Sequence, residues 1–282
     1  MVTLRTLALV IFLLALPLPL PGGSPGDSDA NSLFIQSAAR TLNRDFNRAD
    51  LSYLLLDARS GQLVASRWDD SRRPIPLGSL VKPFTALAYG EQGGYRYPLT
   101  VCHGTVNGCW LPHGHGQLNL TSAIGYSCNA YFQALAYALN VNSVSTVATR
   151  FAIDPPKDSA TPATFVGIGS AWPISPMRIA RAYLELIRRR DQPGIREIVD
   201  GMALSAEKGT GAAVDRALVP RKALVKTGTA PCSHTNHAPG DGFVIAAFPA
   251  DNPRILLLLR VHGAPGAQAA AVAGKILKQI GE

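Results

Sequence analysis

Two hydrophobic periods divide the chain. Leu51 to Asp57 is a leucine-rich run with weak alternation. Arg59-Ser60-Gly61 follows as a turn, and Gln62 to Arg67 reads as the return strand of a hairpin. Ahead of it, Ser32 to Phe46 sets Leu33, Phe34, Ala38, Leu42 and Phe46 at helical spacing. The middle of the chain keeps that helical period in Ala130 to Leu139, Val144 to Phe151 and Ile179 to Arg190. Ser175-Pro176 supplies the last of these with an N-cap and a proline at its first position. The pattern then returns to strands over Ala223 to Thr229, Phe243 to Phe248 and Ile255 to Val261, and a helix from Ala267 to Ile280 closes the chain. A hairpin at one end, a three-strand meander at the other and helices between predict an α/β (α+β) fold: a five-stranded antiparallel sheet with helices on its faces.

The first residues follow another rule. Arg5 precedes an apolar run from Leu7 to Leu16, which is ended by Pro17, Pro19 and Pro21. A membrane span needs about 20 residues, so the run reads as an export signal peptide, or as a short anchor if it is retained. Ser28-Asp29-Ala30 offers a small-x-small cleavage site, and Pro21 to Ala30 has the composition of a flexible linker. The division expected is 1–30 as signal or anchor plus linker, and 31–282 as one catalytic domain, exported to a periplasmic or extracellular space.

Composition changes this picture little. The 282 residues are 47% hydrophobic, enough for a sizeable core. The net charge of +8 comes from 16% charged residues spread along the chain. Its densest cluster, Arg188-Arg189-Arg190, ends a predicted helix, where cations suit the macrodipole. Nucleic acid is therefore not expected as a partner, whereas an anionic wall or membrane surface would attract such a domain.

Three strings carry the candidate chemistry: Ser79-Leu80-Val81-Lys82, Ser127-Cys128-Asn129 and Lys226-Thr227-Gly228. Ser79 and Lys82, three apart at a helix start, project from one face. A serine hydroxyl needs a base, and a lysine serves once burial and nearby positive charge lower its pKa. Lys226 is the expected source of that charge. The helix start also adds positive potential where an acyl oxygen becomes negative. Ser127 and Asn129, two apart on a loop between helices, can relay a proton and hold a substrate amide. Lys226 on its strand faces the cleft, Gly228 leaves room for a peptide along the strand, and Thr227 and Thr229 can donate to a carboxylate. Ser205-Ala206-Glu207-Lys208 repeats the Ser-x-x-Lys spacing, but it follows a helical stretch and runs into the turn Gly209-Thr210-Gly211, so it reads as a decoy.

The cysteines leave two readings open. Cys102, Cys109, His115 and Cys128 are thiol and imidazole groups that zinc prefers, and four of them close a tetrahedron. A structural zinc would tie the polar, glycine-rich run from Cys102 to Trp110 to the Ser127–Asn129 loop, with His113 as a substitute ligand. In an exported chain, Cys102 and Cys109 could instead form a disulfide, with Cys128 a buried small residue. Cys232, with His234 and His237, is assigned to the loop after Thr229.

Taken in order, these strings resemble the transpeptidase domain of class B penicillin-binding proteins, particularly the elongation type. The likeness runs from about Leu51 to the C-terminus. It includes Leu54-Leu55-Leu56-Asp57 with Ser60-Gly61-Gln62-Leu63-Val64-Ala65, Gly114-His115-Gly116, Gly167-Ile168-Gly169, Ala180-Arg181-Ala182-Tyr183 and Lys226-Thr227-Gly228-Thr229-Ala230. The resemblance implies that Ser79 is the acylated nucleophile, Lys82 its base and Ser127 the relay. Asn129 would be a substrate contact, Lys226, Thr227 and Thr229 a carboxylate clamp, and the Ser79 and Thr229 N–H groups an oxyanion hole. It further implies action on peptidoglycan stem peptides ending in D-Ala-D-Ala, acylation by β-lactams, cell-wall synthesis proteins as partners and no cofactor for catalysis. Some elongation-type relatives hold a metal through ligands at the places of His115 and Cys128. The long N-terminal pedestal domain of the family is not evident, so a stand-alone catalytic domain is expected. A serine β-lactamase would need a hydrolytic base, and no Glu-x-x-Asn follows the second motif. A β-lactam or peptidoglycan sensor is the other alternative.

Overall fold

The computed structural model describes residues 25–232 and 240–281. Helix α1 (Pro25–Asp45) leads to the hairpin β1 (Leu51–Asp57) and β2 (Leu63–Arg67). After a short β3 (Ile75–Pro76), a 3-10 turn at Gly78–Val81 runs into α2 (Lys82–Gln92). A two-stranded ribbon, β4 (Thr100–Cys102) with β5 (Gly116–Leu118), comes next. The helical region then comprises α3 (Leu120–Gly125), α4 (Asn129–Ala136), α5 (Val141–Arg150) and α6 (Pro162–Phe165). Past β6 (Pro173–Ile174), which pairs with β3, come α7 (Pro176–Arg188), α8 (Ile195–Lys208) and α9 (Ala212–Leu218). The chain ends with β7 (Leu224–Ala230), β8 (Asp241–Phe248), β9 (Ile255–Val261) and α10 (Gly266–Gly281).

The five long strands form one antiparallel sheet in the order β2-β1-β9-β8-β7. The N-terminal hairpin thus joins the C-terminal meander through β1 and β9, with Leu51 opposite Val261 and Asp57 opposite Ile255. The arrangement is the one the element order predicts. Alternation divides the core in two. Leu54, Leu56, Ile245, Leu256 and Leu258 pack with Phe84, Phe132, Val147 and Tyr183 of the helical region. Tyr53, Leu55, Val244, Leu257 and Leu259 pack with Leu42 of α1 and with Ala273, Ile276 and Leu277 of α10. A sheet covered on both faces needs apolar residues at every position, which explains why β1 and β9 read as leucine runs with little alternation.

Three features differ from the sequence reading. α1 starts at Pro25, so residues 25–30, assigned to a linker by composition, continue the helix; proline suits a first helical position. The apolar run at Leu7 to Leu16 lies outside the described residues. Among the described residues, no helix is long and apolar enough to cross a membrane. The short helices α3, α6 and α9 also went unpredicted, none exceeding seven residues. Caps fix two helix starts: Asn119 with Ser122 for α3, and Asn140 with Ser143 for α5. The three arginines ending the 176–190 segment are used within the domain. Arg188 donates to the Ala58 and Arg59 carbonyls, Arg189 pairs with Glu185, and Arg190 donates to the Asp251 carbonyl.

Candidate active site

Ser79 sits, half-buried, in the 3-10 turn that feeds α2, with Pro83 in the first helical turn. That turn lies against β7, the edge strand, because two glycines permit the approach. A Cβ on Gly228 would come 2.6 Å from the Leu77 carbonyl oxygen. One on Gly78, whose φ is +57°, would come 2.1 Å from the Thr229 carbonyl oxygen. Gly228 borders the cavity, as its expected role requires, yet its bare Cα also seats the turn carrying Ser79. From the other side the buried Tyr183 hydroxyl donates to the Leu80 carbonyl at 2.9 Å.

Lys82 is wholly buried one turn beyond Ser79. Its Nζ donates at 2.7 Å to both the Ser127 carbonyl and Asn129 Oδ1, and lies 3.3 Å from Ser127 Oγ. Lys226, also wholly buried, donates to Ser127 Oγ at 2.9 Å and to the Thr227 carbonyl at 2.8 Å. The Ser127 hydroxyl therefore stands between two amines. With one donating to it and the other neutral, it can pass its own proton to the neutral one, which makes a short proton wire. Burial lowers the Lys82 pKa from 10.5 to about 7, against the pull of the Cys128 and Cys109 thiols. Lys226 is held well below its ordinary value by burial and then by the Lys82 charge. Of the two influences expected on Lys82, burial is the larger. Lys226 points inward with Leu224 and Gly228, and its Nζ meets the hydroxyl of Ser127, which borders the cavity.

Ser127 has a left-handed backbone, φ +51°, an unfavourable region for serine by about 1–2 kcal/mol. Two donors hold its carbonyl in that pose: Lys82 Nζ, and the indole Nε1 of Trp110 at 3.2 Å. Trp110 packs edge-on against His115, which stacks on Tyr126. The loop of the second motif is thereby joined to the cysteine-rich ribbon.

There the thiols are free and close together. Cys109 Sγ lies 3.8 Å from Cys128 Sγ and 3.5 Å from His115 Nδ1; Cys102 Sγ lies 3.6 Å from that nitrogen. All four ligand atoms fall within 4.8 Å of one another. Zinc–sulfur bonds of about 2.3 Å and zinc–nitrogen bonds of about 2.0 Å, set tetrahedrally, imply edges of about 3.8 Å between sulfurs and about 3.5 Å from sulfur to nitrogen. The arrangement fits that ion. Burial pushes the Cys128 thiol up to about 12. Burial acts on Cys109 too, but backbone N–H groups of Leu111, Asn129 and Ala130 outweigh it and pull that thiol below its usual value, as suits a thiolate ligand. His113 is exposed and outside the cluster, the half-buried Cys232 is outside it too, and His234 and His237 lie outside the described residues.

A cavity of about 520 Å³ opens over these groups. Ser79, Ser127, Asn129 and Trp110 border it on one side of β7, and Thr210, Ala212 and Arg216 on the other, with Thr227, Gly228 and Thr229 between. Thr227 donates to Thr210 Oγ1 at 2.6 Å, and Thr229 Oγ1 accepts from the Gly266 N–H at 2.9 Å. The decoy is resolved by burial. Ser205 is fully buried with its hydroxyl 3.5 Å from that of Thr210, while Lys208 is exposed. Trp110, Thr210, Arg216 and the Val166-Gly167-Ile168 stretch belong to the cavity wall without having been assigned to a cleft. Of these, only the Gly167-Ile168-Gly169 string gave a signal, through its family likeness.

No curated protein sequence matches the chain. Pseudomonas aeruginosa PBP2, solved in complex with WCK 5153, superposes with a TM-score of 0.70 at 18% identity, over 88% of this chain and 73% of that one. The transpeptidase domain of Burkholderia pseudomallei penicillin-binding protein 3 gives 0.65 at 17%, over 92% and 96%. Helicobacter pylori PBP2, solved in complex with MreC, gives 0.64 at 16%, over 86% of this chain but only 61% of that one. These likenesses support the fold. Residues 51–282 match the penicillin-binding protein transpeptidase domain as a family, and the chain belongs to it.

Proposed function

We propose that the protein is a serine acyl-transferase of peptidoglycan metabolism, a D,D-transpeptidase or D,D-carboxypeptidase that works through an acyl-enzyme on Ser79. The observation that carries this reading is the buried chain Lys82–Ser127–Lys226 beside a cavity bordered by Ser79. A lysine neutral near pH 7 is the base that a serine nucleophile needs. Ser79 Oγ attacks the carbonyl of the penultimate D-Ala while its proton passes to Lys82. The terminal D-Ala amine then leaves with a proton delivered through Ser127. An amine or water accepts the acyl group and frees the serine. The N–H groups of Ser79 and Thr229 are assigned to the oxyanion, and Asn129 to a substrate amide.

A β-lactam presents the same carbonyl, but its leaving group stays tethered. None of the described side chains bordering the cavity is a carboxylate. That supports a long-lived ester over β-lactamase turnover. The intact Ser79, Lys82 and Lys226 set supports an enzyme over a non-acylating sensor. Cys102, Cys109, His115 and Cys128 would hold a structural zinc, which when bound would brace the second motif through Trp110 and take no part in the reaction. The site of action would be the periplasm or cell exterior, with wall-synthesis proteins as partners.

The test is intact-mass analysis of the protein with a penicillin over time. One drug mass on Ser79, absent in Ser79→Ala, is the expected result. An adduct on Ser205, or catalytic consumption of the drug, refutes it. Release of D-Ala from a stem peptide, with and without an added amine, identifies the acceptor.

A further inference from the structure

A second cavity, of about 880 Å³, shares no bordering residue with the one over Ser79. Three stretches wall it: the end of α7 with α8, the link from α9 into β7, and the turn between β8 and β9. Its volume lies in the range of about 300–1,000 Å³ typical of ligand sites, and the buried Val199 and Leu224 give it apolar surface. Arg190, Arg196, Arg221 and Lys222 border it. So do Asp191, Asp200 and Asp251. Main-chain carbonyls, not carboxylates, hold the arginines. Arg190 Nη1 donates to the Asp251 carbonyl at 3.1 Å, Arg196 Nη2 to that of Asp191 at 3.3 Å, and Arg221 Nη1 to that of Gly281 at 2.7 Å. Lys222 has an acid partner at 3.4 Å, but it is Asp215, which does not border the cavity. Among the described residues, no ion pair engages the three bordering carboxylates. A guanidinium anchored through one nitrogen keeps its other N–H donors, and each carboxylate keeps its acceptor sites. Charges of both signs therefore surround one cavity without cancelling one another.

We infer that this cavity binds a zwitterionic oligopeptide, its carboxylates taken by Arg190, Arg196 and Arg221 and its ammonium groups by Asp191, Asp200 and Asp251. A guanidinium fork matches a carboxylate with two parallel N–H donors. A polyanion would meet the three acids here and a polycation the basic groups, whereas a ligand carrying both signs finds a partner for each. Peptide binding at this place is independent of acyl transfer at Ser79. Where the acyl-transfer reading holds, peptidoglycan stem peptides belong to this ligand class, and the cavity would give the enzyme a hold on its polymer away from the nucleophile.

The experiment is calorimetric titration of the full chain with the tetrapeptide L-Ala-γ-D-Glu-L-Lys-D-Ala, which carries ammonium and carboxylate groups in equal number and lacks the D-Ala-D-Ala end. Penicillin is added first, and intact mass reports whether Ser79 is blocked. Binding to the penicillin-treated parent is expected. Arg196→Gln and Asp200→Asn should each weaken it by about 3–10-fold, between the worth of an exposed ion pair and that of a charge-assisted hydrogen bond. Both residues are exposed, so melting temperatures should stay near the parent value. Amidating the peptide's carboxyls should abolish the effect of Arg196→Gln and spare that of Asp200→Asn; acetylating its amines should do the reverse. No binding to the treated parent, parent-like affinity in both variants, or losses indifferent to which groups of the peptide are neutralised overturn the inference. Inorganic phosphate or anionic vesicles bound as tightly as the peptide, with Asp200→Asn without effect, overturn it too and leave a plain anion site. A penicillin adduct that never forms sinks the acyl-transfer reading alone, because Arg196 and Asp200 border the second cavity and not the one over Ser79.

Discussion

Substituting Gly228 by alanine tests whether the nucleophile is positioned by direct contact between its turn and the edge strand. The added Cβ would lie 2.6 Å from the Leu77 carbonyl oxygen, 3.2 Å from Leu80 Cγ and 3.4 Å from the Leu80 nitrogen. Carbon and oxygen settle at about 3.3 Å, so the turn or the strand must retreat by about 0.7 Å. Both obstructing atoms nearest the nucleophile are backbone, one residue either side of Gly78–Ser79, so the shift passes to Ser79 itself. A misplacement of about 1 Å at a reacting group costs on the order of 100-fold, and Gly228→Ala should therefore acylate about 10–100-fold more slowly. Overpacking of about 1–3 kcal/mol should also lower Tm, at about 2–4 °C per kcal/mol for a chain of this size, by roughly 2–12 °C. Gly94→Ala is the control. Its φ is +61° with nothing within 4 Å of an added Cβ, so it should cost about 1–2 kcal/mol of strain yet leave acylation untouched. The assay is fluorescent-penicillin acylation well below Tm, beside a thermal melt. If Gly228→Ala acylates at the parent rate, the close approach does not position Ser79 and the reasoning fails.

Other outcomes follow from the same geometry. Acylation should rise as pH climbs through about 7, where Lys82 loses its proton, and level off above; a midpoint near the ordinary lysine value would refute burial as its activator. Lys82→Ala should slow acylation by about 10²–10⁴-fold with the fold retained, read by circular dichroism and adduct kinetics. Purified protein should carry near-stoichiometric zinc, and Cys128→Ser should lose both metal and thermal stability. Metal-free protein with Cys102 bonded to Cys109 would end the zinc proposal and spare the catalytic one. Tyr183→Phe removes the bond to the Leu80 carbonyl and leaves that buried acceptor unpaired, so Tm should drop by an amount equivalent to about 1–3 kcal/mol; an unchanged Tm would deny that bond its role.

Much of the architecture was legible in the chain because burial leaves a period. The sheet covered on both faces produced the leucine runs of β1 and β9, and the amphipathic α7 announced itself with Ser175 and Pro176. The three motifs were legible because their residue types are chemically rare in that order, and context alone set Ser79 apart from Ser205. Spacing, however, says which residues share a face and not what lies opposite. Only the tertiary structure put Ser127 between Lys82 and Lys226, contacts that span 45 and 99 residues of sequence. It also showed that Lys226 is a buried partner of the wire, because inward alternation on an edge strand left its amine no path to solvent. Arg216 and Thr210 carried no motif, since a lone arginine on a seven-residue helix and a threonine in a turn are ordinary in sequence. Both border the cavity, where Thr210 accepts from the Thr227 hydroxyl of β7. The chain by itself determined the sheet and the reactive groups; folding decided which of them face substrate and which face one another, because desolvation and hydrogen-bond partners belong to neighbours that the sequence keeps far apart.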